Sequence, residues 1–398
     1  MSQAFVVLAL SLLLGIQPVT TDLYLPALPA LTDALSASIA QAQLTLSGLL
    51  LAFGCSQLVW GPLSDRYGRK PVLLIGLSAY TVSALASALA PSMEMLLLWR
   101  IVQGAAMGAS VMCARALVRD LYSPEMGARV ISKGLSGLGV IACLSLPLGG
   151  VLAEYLGWRA ALGALAAFGA LALAMVVLHF EETLRTPNPH ALQPRVLLRT
   201  WRTILGNRTF WAYALLAMMS YGGLFTFLAA SSFVFIGLMG LSRMMYGGIM
   251  LTMALAYLLG TVLCRRLLQR FGPHRTVAIG GLLSVSGGSL MGGLALAGVD
   301  SGLAIMLPFY LFMLAHGIHQ PCGQAGAVGP FPQAAGAASA LSGFLMMLSA
   351  FAMGAWLGTH MDNTRLPMTN GVWFWSVLTA LVAWGMVWRL RGAPAQGR

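Results

Sequence analysis

Gly61-Pro62-Leu63-Ser64-Asp65-Arg66-Tyr67-Gly68-Arg69-Lys70-Pro71 is a short, densely charged string between two long apolar runs, residues 43–63 and 71–90. Each run is about 20 residues long, enough to cross the hydrocarbon core of a bilayer as a helix, whereas ~10–14 would not be. The same alternation continues outward in both directions. Spans are expected at 4–25, 43–63, 71–90, 94–118, 128–152, 159–179, 209–236, 245–264, 276–298, 302–324, 335–359 and 371–389. Only 9% of the 398 residues are charged and 58% are hydrophobic. A soluble domain carries about 25% charged residues, so most of this chain must face lipid. The stretch 4–16 lacks the basic segment of a signal peptide and reads as part of the first membrane helix.

The net charge of +12 lies in short clusters between apolar runs, not on a basic arm or face, which argues for membrane topology and against nucleic acid. The second, fourth, sixth and eighth links carry Arg66, Arg69 and Lys70; Arg119 and Arg129; Arg185, Arg195, Arg199, Arg202 and Arg208; and Arg265, Arg266, Arg270 and Arg275. Arg389, Arg391 and Arg398 follow the last span. The opposite side has only Arg159, Arg243 and Arg365, among Asp33, Glu94, Glu154, Asp300 and Asp362. The positive-inside rule then puts the even links and both termini of this multi-pass chain in the cytoplasm. Cys55, Cys113, Cys143, Cys264 and Cys322 have no paired spacing and read as small apolar packing residues.

The longest connection, polar and marked by Pro187, Pro189 and Pro194, divides the chain into a six-helix bundle (1–180), a cytoplasmic linker (181–208) and a second six-helix bundle (209–398). The halves echo each other. Asp65-Arg66-Tyr67-Gly68-Arg69-Lys70 aligns with Gln269-Arg270-Phe271-Gly272-Pro273-His274, each after the second span of its half. The fold expected is an all-α integral membrane protein of twelve transmembrane helices in two pseudo-symmetric bundles, as alternating access by rocking halves requires.

Three groups of residues invite a function. Asp65 and Asp120 both sit at helix C-termini, where the helix dipole disfavours a carboxylate. They become reasonable if Arg66 or Arg69 lies between them as a latch, with Gly61 allowing close helix approach and Gly68 a tight turn. Asp22 and Arg100 are charges within spans, at depths that agree within roughly 5 Å, and such charges face a cavity or a partner. They are read as a proton-coupling pair: burial disfavours the carboxylate and a nearby guanidinium favours it, so the balance can change with conformation. Arg100, Gln103, Met107 and Val111 share one helix face suited to varied amphiphiles, with plain helix packing the alternative for Met107, and Tyr221, Phe225, Thr226 and Phe233 read as a facing wall or as lipid contacts. His316, His319 and Cys322 share a face without an acidic ligand nearby, and read as cavity polarity or interhelical hydrogen bonding and not as a metal site. Neither a His-Glu-x-x-His cluster nor a Gly-rich Lys-Ser/Thr loop occurs, so an intramembrane enzyme or direct ATP drive is not expected.

The string 61–71 resembles the signature loop of the major facilitator superfamily. Further segments resemble its Bcr/CflA drug-efflux branch: Thr21-Asp22-Leu23-Tyr24-Leu25-Pro26-Ala27-Leu28-Pro29, Arg100-Ile101-Val102-Gln103-Gly104, Ala114-Arg115-Ala116-Leu117-Val118-Arg119-Asp120, Leu224-Phe225-Thr226-Phe227-Leu228-Ala229-Ala230, and Phe331-Pro332 with Ala335-Gly336-Ala337-Ala338-Ser339. The resemblance implies an exporter of small amphiphilic compounds or antibiotics driven by inward proton movement, with Tyr24 among the substrate contacts and no cofactor but the proton gradient. It also implies an antiporter motif at Pro147, Gly149 and Gly150, although Pro147 comes two residues before Gly149 and Leu146 takes the usual place of the proline. The expected partners are a small-molecule substrate, protons and the lipid bilayer, with the protein a monomer. An exporter of a physiological solute such as an amino acid or nucleoside, or a proton-independent facilitator, would share the same fold.

Overall fold

The computed structural model describes residues 1–184 and 186–392. Of the basic residues counted above, Arg185, Arg398 and the side chain of Arg391 lie outside the described residues. In chain order the helices are α1 (Gln3–Asp22), α2 (Leu28–Ala34), α3 (Ile39–Tyr67), α4 (Arg69–Ala88), α5 (Met93–Leu121), α6 (Pro124–Tyr155) and α7 (Trp158–His179). They are followed by α8 (Pro194–Leu205), α9 (Arg208–Ser232), α10 (Arg243–Leu296), α11 (Gly302–Val328), α12 (Ala335–His360) and α13 (Leu366–Val382). Their starts follow from local chemistry. Ser38 and Gln41 close a capping box on α3, while Ser92 and Asn207 cap α5 and α9 through their side-chain oxygens.

Eleven of the described helical runs are long and apolar enough to cross a membrane. One of them, α10, has 54 residues, which at 1.5 Å per residue is about 81 Å, more than twice a ~30 Å hydrocarbon core. It is two limbs meeting at Gly272, whose φ of 72° and ψ of 175° are not helical. Counted as two limbs, α10 brings the crossings to the expected twelve. The break also bears on the internal echo, because Gly68, between α3 and α4, has φ 104° and ψ 161°. Both glycines adopt a positive φ that side chains disfavour. The flanking residues repeat too: Arg66 lies over the Tyr67 ring at 5.4 Å and Arg270 over the Phe271 ring at 5.2 Å.

Contacts divide the chain into two compact units, Met1–Thr200 with Leu241–Leu251, and Trp201–Gly240 with Thr252–Arg398. Within the first, α5 packs on α3 and α4, and α1 packs on α6. A Cβ on Gly104 would overlap the Leu49 carbonyl, and one on Gly108 the Ser56 side chain, so α3 and α5 cross most tightly there. At Gly61 the nearest atom to such a Cβ is the flexible Met112 Cε, at 3.3 Å, so α3 also approaches α5 closely there, though less tightly than at Leu49 and Ser56 earlier in the helix. In the second unit α9 is the central element, in contact with α11, α12 and α13.

Candidate functional site

The charged string builds a closed ion-pair network around Arg69, which is 2% exposed. Its Nε donates to Asp120 Oδ2 at 2.8 Å and its Nη2 to Asp120 Oδ1 at 3.3 Å, a bidentate clasp. Its Nη1 donates to Asp65 Oδ1 at 2.6 Å and to Ser64 Oγ at 2.8 Å. The residue between the two acids is therefore Arg69. Arg66 is exposed and stacks on Tyr67. Asp65 and Asp120, awkward at their own helix ends, are both neutralised from α4.

Sequence reasoning missed the second layer, which comes from the segment after α7. Glu182 accepts the backbone N–H groups of Arg69 at 2.9 Å and Lys70 at 3.0 Å, so its carboxylate caps the N-terminus of α4. It also accepts from the Thr183 and Leu184 N–H groups, both at 2.9 Å. Partial burial disfavours its charge, but these donors outweigh that and hold the carboxyl below the usual carboxylate range. Thr183 Oγ1 donates to Asp120 Oδ2 at 3.2 Å, and the Asn188 N–H to the Asp65 carbonyl at 2.9 Å. Gly68 has a further role here: a Cβ at that position would overlap the Glu182 carboxylate. The signal available in the sequence was the acid pair Glu181-Glu182 directly after an apolar span.

The second cluster of the first unit surrounds Arg100, which is fully buried. Its guanidinium lies 4.3 Å from the centre of the Tyr24 ring, donates to Gln103 Oε1 at 2.8 Å and to the Thr20 carbonyl at 3.1 Å. Tyr24 is fixed by Thr45 through a 2.7 Å hydroxyl pair, and Thr20 meets the Tyr80 hydroxyl at 2.6 Å. Arg100 Nε and Gln103 Nε2 are buried without a hydrogen-bond partner of good geometry. Asp22 is half-buried at the end of α1, and its Oδ1 accepts from Thr21 Oγ1 at 2.8 Å. Among the described residues Asp22 and Arg100 form no ion pair, so the two charges lie in one unit with separate hydrogen-bond partners. Met107 is fully buried on the same helix as Arg100 and Gln103.

Next to Asp22, α6 supplies the small residues. A Cβ on Gly149 would overlap the Leu23 carbonyl, and one on Gly150 would sit against the Arg243 carbonyl at 2.5 Å. A Cβ on Gly247 would lie 2.9 Å from the Leu146 carbonyl and from Pro147 Cα. Pro147, Gly149 and Gly150 thus give α6 two close faces, toward the end of α1 and toward the start of α10.

In the second unit, Phe225 and Thr226 are buried, while Tyr221 and Phe233 are half-buried. Thr226 donates to the Gly222 carbonyl at 2.7 Å, and its methyl would lie 2.7 Å from a Cβ on Gly371, so this residue is turned into helix packing. The aromatic feature of the unit lies elsewhere: Phe227 stacks on Phe309 at 3.6 Å, and Phe309, Phe312 and His316 continue the stack. His316 Nδ1 pairs with Ser220 Oγ at 2.8 Å, His319 Nε2 faces the Val277 carbonyl at 3.3 Å, and Gln320 Nε2 donates to the Ala217 carbonyl at 3.1 Å. The histidines thus have hydrogen-bonding roles. Cys264 and Cys322, distant in sequence, bring unbonded sulfurs to 3.7 Å.

Comparison with known proteins extends over nearly the whole chain. Residues 10–355 match the Major Facilitator Superfamily. The chain is similar to the chloramphenicol resistance protein of Pseudomonas aeruginosa, 28% identical over 94% of this chain and 88% of the relative. It is likewise similar to a bicyclomycin resistance protein homolog of Haemophilus influenzae, 28% identical over 91% of each, and to multidrug resistance protein D of Escherichia coli, 28% identical over 86% of each. Among solved structures, the xylose transporter XylE from E. coli in a partially occluded inward-open conformation superposes with a TM-score of 0.76 at 15% identity, covering 100% of this chain and 99% of that one.

Proposed function

The chain belongs to the major facilitator superfamily and is a multi-pass membrane transporter, not an enzyme, and from that premise we propose that it is a proton-coupled exporter of small amphiphilic compounds or antibiotics. It works by alternating access across a bacterial inner membrane, with both termini cytoplasmic. The single observation that carries this reading is the unequal treatment of charge in the first unit. Arg69, at the membrane margin, is saturated by two acids, while Arg100 is fully buried and retains an unpartnered Nε. Leaving buried cation donors open is costly unless something else uses them.

The chemistry follows. Arg100 Nε and Gln103 Nε2 offer donors to an oxygen-bearing substrate, and the Tyr24 ring and Met107 supply apolar surface. Among the described residues Asp22 accepts a hydrogen bond from its neighbour Thr21 and joins no ion pair, so it takes and releases a proton without breaking one. The Arg69 latch stabilises one arrangement of α3, α4 and α5 and must open in another. The drug class rests on the names of the relatives.

The test uses everted membrane vesicles with a pH-gradient dye, adding bicyclomycin, a phenicol, a sulfonamide and nucleosides in turn. Compound-dependent proton release that Asp22→Asn abolishes is expected. Silence for every compound, with binding demonstrated separately, would point to a facilitator.

A further inference from the structure

The second unit repeats the glycine turn of the first but not its acids. Where Arg69 follows Gly68, Pro273 follows Gly272. Arg265, Arg266, Arg270, Arg275 and Arg389 belong to this margin, yet the only acids after Glu182 are Asp300 and Asp362. Asp300 pairs with Arg365, which precedes α13 and so lies at the other end of these helices. Among the described residues of the second unit, no acid plays the part of Asp65, Asp120 and Glu182.

Beside this margin, the second limb of α10 and the helical segment continuing from α13 enclose a groove of 380 Å³ that includes Phe271, Arg275, Ile279, Leu282, Trp384 and Trp388. Arg275 is exposed, and the rest of the named lining is apolar or aromatic. Trp384 Nε1 donates to the Ala278 carbonyl at 3.0 Å, which fixes the indole along the groove. The helix widens into a π turn over Ala383–Val387, the stretch that carries Trp384.

We propose that this groove seats one anionic phospholipid, its phosphate on Arg275 and an acyl chain along Ile279, Leu282 and the two indoles. Indoles favour the bilayer margin, and basic pockets there attract anionic headgroups. The surrounding arginines repel a headgroup that brings its own cation. A peptide would need backbone hydrogen-bond partners that the apolar walls do not offer, and free phosphate would leave the groove unfilled. The lipid then supplies the negative charge that the first unit draws from its own acids. This assignment depends neither on proton coupling nor on which way the chain faces.

The test titrates the full-length chain in detergent micelles with phosphatidylglycerol carrying brominated acyl chains, reading tryptophan quenching. The expected result is saturable quenching that the Trp384→Phe/Trp388→Phe variant loses, with phosphatidylcholine binding several-fold more weakly. Arg275→Gln should weaken the apparent affinity about 5-fold, the equivalent of ~1 kcal/mol for one basic group. Arg275→Lys should keep the affinity, and Arg66→Gln, the same charge change at the matching turn of the first unit, should leave it unchanged. Equal quenching by the two lipids, or Arg275→Gln indistinguishable from the unaltered protein, would overturn the proposal and leave the groove as ordinary bilayer contact. Thermal unfolding of each variant separates these results from misfolding.

Discussion

Replacing Asp120 by alanine should damage the first unit far more than replacing Asp65, although both acids bind the same guanidinium. Asp120 provides two of the four side-chain hydrogen bonds of Arg69 and is 13% exposed, whereas Asp65 provides one and is 41% exposed. Removing one partner of a buried ion pair leaves an uncompensated charge and costs about 3–5 kcal/mol. Removing a solvent-screened partner costs roughly 1 kcal/mol or less. For a cooperative unit of roughly 150–250 residues each kcal/mol corresponds to ~2–4 °C. Asp120→Ala should therefore lower the midpoint by roughly 6–20 °C, and Asp65→Ala by about 4 °C or less. The assay is thermal unfolding of purified protein at fixed detergent and scan rate. Equal losses for the two variants, or a loss under about 2 °C for Asp120→Ala, would refute the claim that burial, and not the mere presence of an ion pair, gives the latch its strength.

Other expectations follow from the same geometry. Gly68→Ala meets both a φ of 104° and the Glu182 carboxylate, whereas Gly272→Ala meets a φ of 72° in open space; thermal unfolding should show the first as the more harmful. Glu182→Ala should cost less in the Gly68→Ala background than alone, a coupling that a double-mutant cycle measures. Gly149→Ala must push α6 away from the Leu23 carbonyl beside Asp22 and should abolish compound efflux in vesicles, while Gly163→Ala, with nothing within 4 Å, should leave efflux intact. The Glu182 carboxyl is lower in the folded protein than in the unfolded chain, so its stabilising effect is present above the ordinary glutamate value of about 4.3 and fades as pH falls through the depressed folded value. The difference in unfolding midpoint between unaltered protein and Glu182→Gln should be constant from about pH 6 to 8 and shrink below about pH 4.

The crossings were legible because apolar runs of bilayer length announce themselves, the two limbs of α10 included. Its two expected spans, 245–264 and 276–298, are separated in sequence by the charged turn that carries Gly272, the residue at which the two limbs of α10 meet with a non-helical backbone. The pairing of Asp65 and Asp120 with an arginine was legible from acids placed against the helix dipole, but choosing between Arg66 and Arg69 needed the turn at Gly68, which sends Arg69 inward and leaves Arg66 outside. The acid pair Glu181-Glu182 stood out after its apolar span, but its partner was not legible: Glu182 reaches α4 through an irregular segment, and no periodicity encodes where such a segment returns. Depth along a helix placed Asp22 and Arg100 at one level, yet depth says nothing of azimuth, and Arg100 turns to Tyr24, Thr20 and Gln103. The same limit applies to Thr226, whose helix position suits a wall but whose hydroxyl and methyl are both engaged within the packing.

The central claim is that Asp22 carries the coupled proton while Arg100 and its neighbours hold the compound. Proteoliposomes containing purified protein separate the two roles, because exchange of labelled for unlabelled compound needs binding and alternation, whereas accumulation against a gradient also needs the proton. With a compound first identified in vesicles, Asp22→Asn should retain exchange and lose accumulation driven by an imposed pH gradient. Undiminished pH-driven accumulation by Asp22→Asn would contradict the account.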